Sequence, residues 1–330
     1  MISIINSSTD PCFNLATEEY IMDSFQEMEK YLMLWQNQPS IIVGKHQNTI
    51  EEINAEFVRE KNLSVVRRLS GGGAVYHDLG NLNFTFILDL PDSSLQFDFK
   101  RLTEPIIATL SRMGIPAEFN SRNDLTIEGK KFSGNAQFIR KGRCLHHGTL
   151  LFDTNLDDLE QALRVGNDKI ESKGIKSIRS RVTNIKPYAK EFFSIEDFKN
   201  LLIDQFQQQG ETVFPWILGE GDRHQISKLA DTKYRSWEWN YGESPFFTIK
   251  KICHFEFGKI EAWLDVKQGS VNKCRFYGDF FGRNDKIEIE KRLMGCRYEE
   301  NCLVMALHGM TIGNYFQGMT IDRFIQFLVE

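Results

Sequence analysis

The sequence predicts an α+β fold, and three observations carry that expectation. Short apolar stretches with strand character come in neighbouring pairs. Helical stretches fall between the pairs rather than after every strand, and a second strand–helix cycle begins near Phe246. A doubly wound parallel sheet would instead alternate one strand with one helix throughout.

Each element follows from local pattern. The opening ISIIN reads as a short strand, and Asp10-Pro11 then introduces a helix in which Phe13, Ala16, Tyr20 and Phe25 recur at roughly helical spacing. Tyr31–Trp35 and Ile41–Val43, separated by Asn37-Gln38-Pro39, read as two paired strands. Asn54 can cap a short helix to Lys61, and Val65-Val66 resumes strand and delivers the chain to Arg67 and Arg68. Ala74–Tyr76 and Phe84–Leu90 are strand-like, and Leu102–Met113 is helical. Asn123–Ile127 and Phe132–Ile139 flank Glu128-Gly129-Lys130, a turn signal that predicts a hairpin. Thr149–Phe152 is a further strand. Ile175–Pro187 lacks periodicity, carries Lys176, Arg179, Arg181 and Lys186, and reads as a long basic loop suited to a lid. Ser194 can cap a helix to about Gln209, whereas Asp231–Ser244 reads as irregular connecting chain. The second cycle has strands near Ala262–Val266 and Cys274–Phe280, then helices near Lys286–Leu293, Asn301–His308 and Ile321–Leu328. A boundary near residue 245 divides a large domain, 1–245, from a smaller one, 246–330.

Composition bounds the function. At 330 residues, 41% hydrophobic and 26% charged, with 26 phenylalanines, the chain has ample material for aromatic-rich cores. A formal net charge of −5 argues against a dedicated nucleic-acid binder. The six cysteines form no CxxC pair, which excludes the usual zinc and disulfide frameworks. With no leader pattern and no long apolar run, the expectation is a cytoplasmic protein that spans no membrane.

The strongest local signal is Arg67-Arg68-Leu69-Ser70-Gly71-Gly72-Gly73-Ala74-Val75-Tyr76-His77-Asp78. Three glycines after a strand let the backbone approach a ligand, and their N–H groups can cradle an anion. Two arginines supply permanently charged planar donors for phosphate or carboxylate. On residues alone, a glycine-rich turn with solvated arginines is an equal reading, and neither G-x-G-x-x-G nor G-x-x-x-x-G-K-[ST] is present. In Lys130-Lys131-Phe132-Ser133-Gly134, alternation puts the two lysines on opposite faces, Lys131 with Ser133, and Gly134 makes room for a ligand. A lone lysine beside a turn is usually just solubilising. His146 and His147 are adjacent and point apart in a strand, so they cannot both serve one metal. His77 and Asp78 mimic part of a triad, but no G-x-S-x-G elbow accompanies them.

Together, RRLSGGGAVYHDLGN (Arg67–Asn81), RNDLTIEGKKFSGNA (Arg122–Ala136), HHGTLLF (His146–Phe152) and KSIRSRVTN (Lys176–Asn184) resemble the lipoate–protein ligase A family, in its order and at comparable spacing. The resemblance extends through SWEWNYG (Ser236–Gly242) and more loosely beyond. It implies a large biotin/lipoate-ligase-type domain, with mixed and antiparallel sheets flanked by helices, and a small C-terminal α+β accessory domain. It implies ATP, Mg²⁺ and lipoate or octanoate as ligands, and lipoyl-AMP as the intermediate. Lys131 matches the family's active-site lysine. Arg68, Ser70, Gly71, Gly72, Gly73, Ala74, Val75, Tyr76 and His77 match nucleotide- and acyl-binding positions. Asn123, Asp124, Ser133, Gly134 and His147 match further site residues, and Ser180, Arg181, Val182 and Thr183 match the loop over the adenylate. The resemblance implies a Mg²⁺ ion held mainly through ATP phosphates, with Asp124 as the candidate protein ligand. The implied acceptors are lipoyl domains of 2-oxoacid dehydrogenase E2 subunits and the glycine-cleavage H protein, with the enzyme a monomer.

Three other readings compete. An ATP-independent octanoyl or lipoyl transferase on the same scaffold would need a nucleophile such as Cys144. A biotin ligase fits the motif wording less well, and a non-catalytic lipoate- or carrier-binding module would not need Lys131, Arg68 and the glycine triplet together.

Overall fold

The computed structural model describes residues 1–24, 30–47, 49–90, 98–120, 123–163, 181–189, 193–241, 249–267, 270–298 and 300–329. The strands are β1 (Ile2–Ile5), β2 (Tyr31–Trp35), β3 (Ser40–Val43), β4 (Ser64–Arg67), β5 (Val75–His77), β6 (Asn81–Asp89), β7 (Ala117–Phe119), β8 (Asp124–Ile127), β9 (Lys130–Arg140), β10 (Arg143–Leu151), β11 (Phe214–Ile217), β12 (Ile249–Phe255), β13 (Gly258–Lys267) and β14 (Ser270–Gly278). The helices are α1 (Pro11–Ser24), α2 (Thr49–Glu52), α3 (Ala55–Glu60), α4 (Phe99–Arg112), α5 (Leu156–Ala162), α6 (Ile195–Gln208), α7 (Glu220–Leu229), α8 (Trp237–Asn240), α9 (Ile287–Leu293), α10 (Glu300–Ala306) and α11 (Ile321–Val329).

Two compact units divide the chain. One holds 1–43, 50–67 and 75–240; the other holds 44–49, 68–74 and 241–330. The expected boundary near residue 245 lies outside the described residues.

In the larger unit an eight-stranded sheet runs β11-β1-β2-β6-β10-β9-β8-β7. It is mixed, with β1 parallel to both neighbours and the other pairs antiparallel. A three-stranded sheet, β4-β3-β5, accompanies it. Alternation along β6 and β10 separates two faces. Leu82, Phe84, Phe86 and Leu150 pack with Ile106 and Leu110 of α4 and Phe198 and Leu202 of α6. On the other face Tyr31, Met33, Ile87 and Leu145 join Leu15 and Ile21 of α1 and Ile42 and Val66 of the small sheet. The helices start where polar side chains take up orphan N–H groups: Asp98 accepts from Arg101, and Ser194 forms a reciprocal capping box with Asp197.

The α+β expectation holds, and three local expectations change. Tyr31–Trp35 and Ile41–Val43 are not partners; β2 lies in the large sheet and β3 in the small one. The intervening Asn37 is buried and bonded to Asn14 and His77, and Gln38 N–H donates to Thr9, so this link carries the chain across rather than back. Of the expected irregular stretch Asp231–Ser244, Asp231–Tyr234 and Trp237–Asn240 are helical and 242–244 lies outside the described residues: a π-helical turn, Ala230–Tyr234, follows α7 and precedes α8. That wider turn breaks the 3.6-residue period that sequence reading depends on. Within the expected lid, 175–180 lies outside the described residues, but residues 182–187 are docked. Ile185 is fully buried and its N–H donates to Leu151, while the Asn184 side chain brackets the backbone of Thr154.

In the smaller unit β12-β13-β14 form an antiparallel meander. Ile260, Leu264 and Phe276 pack against Leu293, Phe316 and Phe324. Among the described residues no helix is long and apolar enough to cross a membrane.

Candidate functional site

The β8–β9 hairpin builds the lysine site. Its two-residue turn has positive φ at Glu128 (51°) and Gly129 (75°), the geometry that matches strand twist. The pairing then slips: Leu125 faces Ser133 but Thr126 faces Lys131, so Phe132 is an extra residue, a bulge. The expected alternation of Lys131 with Ser133 is thereby corrected. Phe132 and Ser133 both turn toward the phenylalanine-rich core, with Ser133 Oγ accepting from Asn135 Nδ2 at 3.3 Å. Lys131 instead shares a face with Gly134 and Asp124.

On that face Lys131 Nζ lies 2.7 Å from Asp124 Oδ1, with the two side chains 39% and 29% exposed. A Cβ on residue 134 would sit 2.8 Å from the ammonium, so only glycine leaves it this position. The sheet holds the hairpin from the other side: Gly134 N–H donates to Thr149 Oγ1 at 3.2 Å, and Thr183 N–H donates to the Lys131 carbonyl at 2.9 Å. Val182 bridges Lys131 as a parallel partner. Arg181 is exposed, and Ser180 lies outside the described residues. Asn123 Nδ2 donates to the Asn135 carbonyl, and Asn135 returns two bonds to the Asn123 carbonyl. Its visible work is to close the hairpin base.

Register places Trp35, Asn83 and Thr149 side by side on the lysine face, with Met33, Thr85 and His147 in the adjoining row. His147 Nδ1 lies 2.9 Å from Oε1 of the buried Glu18, which also accepts from Thr85 Oγ1; Trp35 Nε1 donates to that hydroxyl at 2.8 Å. His77 is buried with Nδ1 3.0 Å from Asn37 Nδ2, Tyr76 is buried beside it in β5, and Val75 is half-buried. Sequence reading missed Glu18, Thr85, Asn83 and Thr149. The one available signal is that Leu15, Glu18, Glu19 and Met22 share a helical stripe, which puts acids on a buried face.

The two adjacent histidines point apart, as expected. His146 is fully buried among Phe84, Phe86 and Phe99, and burial, aided by His147, pushes its imidazole down to about 3. An unfolded imidazole takes up its proton near pH ~6.5. Below that pH the unfolded chain binds a proton that the folded state refuses. Stability is therefore complete above about pH 6.5 and falls toward pH ~3, at a slope on the order of 1.4 kcal/mol per pH unit for this one group. Urea titrations of the His146→Asn variant should show a shallower acid dependence than wild type; parallel slopes would remove His146 from the account.

The glycine loop belongs to the smaller unit, as does Ala74 at its end. Arg68 is buried, and its guanidinium folds into the loop: Nε donates to Ser70 Oγ at 3.0 Å, and Nη2 donates to the carbonyls of Gly71 at 2.7 Å and Gly73 at 2.8 Å. A trans peptide sets C=O and N–H antiparallel, so the amides of Gly72 and Ala74 turn away from the guanidinium. A Cβ on Gly71 would overlap the Phe280 carbonyl oxygen, whereas one on Gly73 meets nothing within 4 Å. His46 stacks on Phe280 at 4.6 Å, and its carbonyl accepts from Gly278 N–H, fixing that neighbourhood. Of the three glycines, Gly71 answers to packing and Gly73 to open space.

Among the described residues no three His, Cys, Asp or Glu side chains are placed to hold a metal ion. A lone Asp124 still fits Mg²⁺ that takes most of its oxygens from phosphates and water.

The chain is similar to known lipoate-protein ligases. A family profile described as the lipoyl protein ligase A/B catalytic domain matches residues 10–207, and one described as the bacterial lipoate protein ligase C-terminus matches residues 244–328. Lipoate-protein ligase LplJ of Bacillus subtilis is 45% identical over 99% of this chain and 100% of its own length. A crystal structure of P. falciparum LipL1 in complex with lipoate shares the fold, with a TM-score of 0.78 at 24% identity, over 100% of this chain and 98% of that one. A crystal structure of lipoate-protein ligase A bound with ATP has a TM-score of 0.64 at 29% identity, over 73% of this chain and 98% of that one.

Proposed function

The chain belongs to the lipoate–protein ligase family, and we propose that it activates lipoate, or octanoate, with ATP and transfers the acyl group to a lysine of a carrier protein. The observation that carries this reading is the Lys131–Asp124 pair at 2.7 Å, held on a bulged hairpin beside a glycine.

Activation brings together two anions, a carboxylate and the α-phosphate of ATP, and expels pyrophosphate. A cation must screen that approach. The Lys131 ammonium is a compact point charge suited to bridging both. Its pairing with Asp124 is solvent-exposed enough to be worth only about 0–1 kcal/mol, so exchange for ligand oxygens costs little. Asp124, once released, would be the residue to hold Mg²⁺, which would supply charge neutralisation for the departing pyrophosphate. Within the smaller unit, the glycine loop would offer the amides of Gly72 and Ala74 to an anion. In the second step an acceptor lysine amine attacks the acyl carbon, the amide forms and AMP leaves. The proposed acceptors are lipoyl domains of 2-oxoacid dehydrogenase E2 subunits and the glycine-cleavage H protein, as the family resemblance implies.

The test is direct. Purified protein with lipoate and ATP should release pyrophosphate and yield lipoyl-AMP, and an added lipoyl domain should gain one lipoyl mass. Acyl transfer from a carrier thioester without ATP would contradict the reading.

That rival needs the Cys144 thiolate. Cys144 is buried, and burial pushes its thiol up to about 12. Alternation along β10 puts it on the phenylalanine-rich face with His146, opposite Lys131. The Cys144→Ala variant should keep its rate within about twofold, since it deletes an inert packing thiol. A loss of activity in a folded variant would restore the transferase reading.

A further inference from the structure

The segment Ser236–Tyr241 takes no part in the chemistry above, yet it is bound to one residue by an unusual set of bonds. Arg67 ends β4, the edge strand of β4-β3-β5, so among the described residues no further strand pairs with its outward side. Side chains of α8 take that place. Asn240 Oδ1 accepts from Arg67 N–H at 2.9 Å, and Trp239 Nε1 donates to the Arg67 carbonyl at 2.7 Å. The exchange is reciprocal: the Arg67 guanidinium donates to the carbonyls of Trp239 at 2.9 Å and Asn240 at 3.1 Å. Each partner's side chain holds the other's main chain.

The clamp is itself anchored. Asn240 Nδ2 donates to the Tyr234 carbonyl at 2.7 Å. Lys233 Nζ lies 4.1 Å from the Trp239 ring centroid and binds both oxygens of Glu19, a buried residue of α1 that also accepts from Tyr234 Oη. A cationic, aromatic and hydrogen-bonded set of this kind, mostly shielded from water, holds its members in one arrangement.

The position of the clamp gives it a use. The chain leaves the larger unit after Arg67 and again after Asn240. Val43, after which it leaves for the first time, is the register partner of Arg67 in β3. All three points of departure are thus fixed within one unit, and the residue after Arg67 is Arg68, whose guanidinium shapes the glycine loop.

We propose that Trp239 and Asn240 are positioning residues for nucleotide binding, acting through Arg67 on the start of the Arg68–Ala74 loop. This rests on the function proposed above. A loop that must present backbone donors to phosphates loses binding when its origin shifts by a fraction of an ångström, with no ligand contact removed.

The experiment measures the apparent KM for ATP in lipoate-dependent pyrophosphate release by the full chain, beside the thermal midpoint. Asn240→Ala should raise KM for ATP about tenfold, in the range of a misplaced positioning element. Trp239→Phe, which removes one donor and keeps most of the ring, should raise it by a smaller factor. Leu110→Ala, on the buried face of α4, is the control: it should lower the midpoint and leave KM for ATP unchanged. An Asn240→Ala protein with wild-type KM overturns the proposal, as does a Leu110→Ala protein with the same rise. If Asn240→Ala does not fold, Trp239→Phe decides, and an unchanged KM there overturns the proposal. A wild-type protein silent with lipoate and ATP would instead overturn the reading of function, and this proposal with it.

Discussion

Lys131→Ala is expected to form lipoyl-AMP about 10²–10³-fold more slowly than wild type in single-turnover assays, the size of effect seen when one preorganised charge-stabilising donor is deleted. That corresponds to about 2.7–4 kcal/mol of transition-state stabilisation. The same substitution should hardly change stability. The ion pair it removes is partly solvated, and such pairs contribute about 0–1 kcal/mol. The contrast is the informative part: a large kinetic loss with a near-normal thermal midpoint puts the Lys131 charge at the reacting centre. Near-normal adenylate formation by a folded variant would remove it from that role.

The second large effect separates two of the three glycines. Gly71→Ala is expected to fail twice, in stability and in activity, because its methyl group would overlap the Phe280 carbonyl oxygen. Backbone does not yield as a side-chain tip does, so the cost should be about 1–3 kcal/mol, typical of overpacking. Adenylate formation should fall about 10²-fold with the displaced loop. Gly73→Ala has open space around its new methyl group and should shift stability by less than about 0.5 kcal/mol. If that space receives a ligand, Gly73→Ala still loses activity. Thermal melts and pyrophosphate release on the two variants decide this; a fully active Gly73→Ala would show that the open space has no ligand role.

How far the sequence reveals the site depends on the range of the interactions. The hairpin that carries Lys131 is readable because its turn residues and alternation are local. The bulge at Phe132 is not: one extra residue changes which side chains share a face, and no residue preference announces it. Nearness in sequence suggests pairing of Tyr31–Trp35 with Ile41–Val43, but the bonds of Asn37 to Asn14 and His77 send the two strands to different sheets. The glycine triplet stands out by composition alone. That Arg68 would turn inward onto the carbonyls of Gly71 and Gly73 depends on how the loop closes. Glu18 meets His147 across 129 residues, and Arg67 meets Asn240 across 173, distances at which only the folded topology decides neighbours.

The most direct measurement is a crystal structure of the protein with a non-hydrolysable lipoyl-adenylate. The account predicts that Lys131 Nζ will have left Asp124 and will lie within hydrogen-bonding distance of both an acyl oxygen and a phosphate oxygen. An ammonium still paired with Asp124, with the adenylate bound elsewhere, would contradict it.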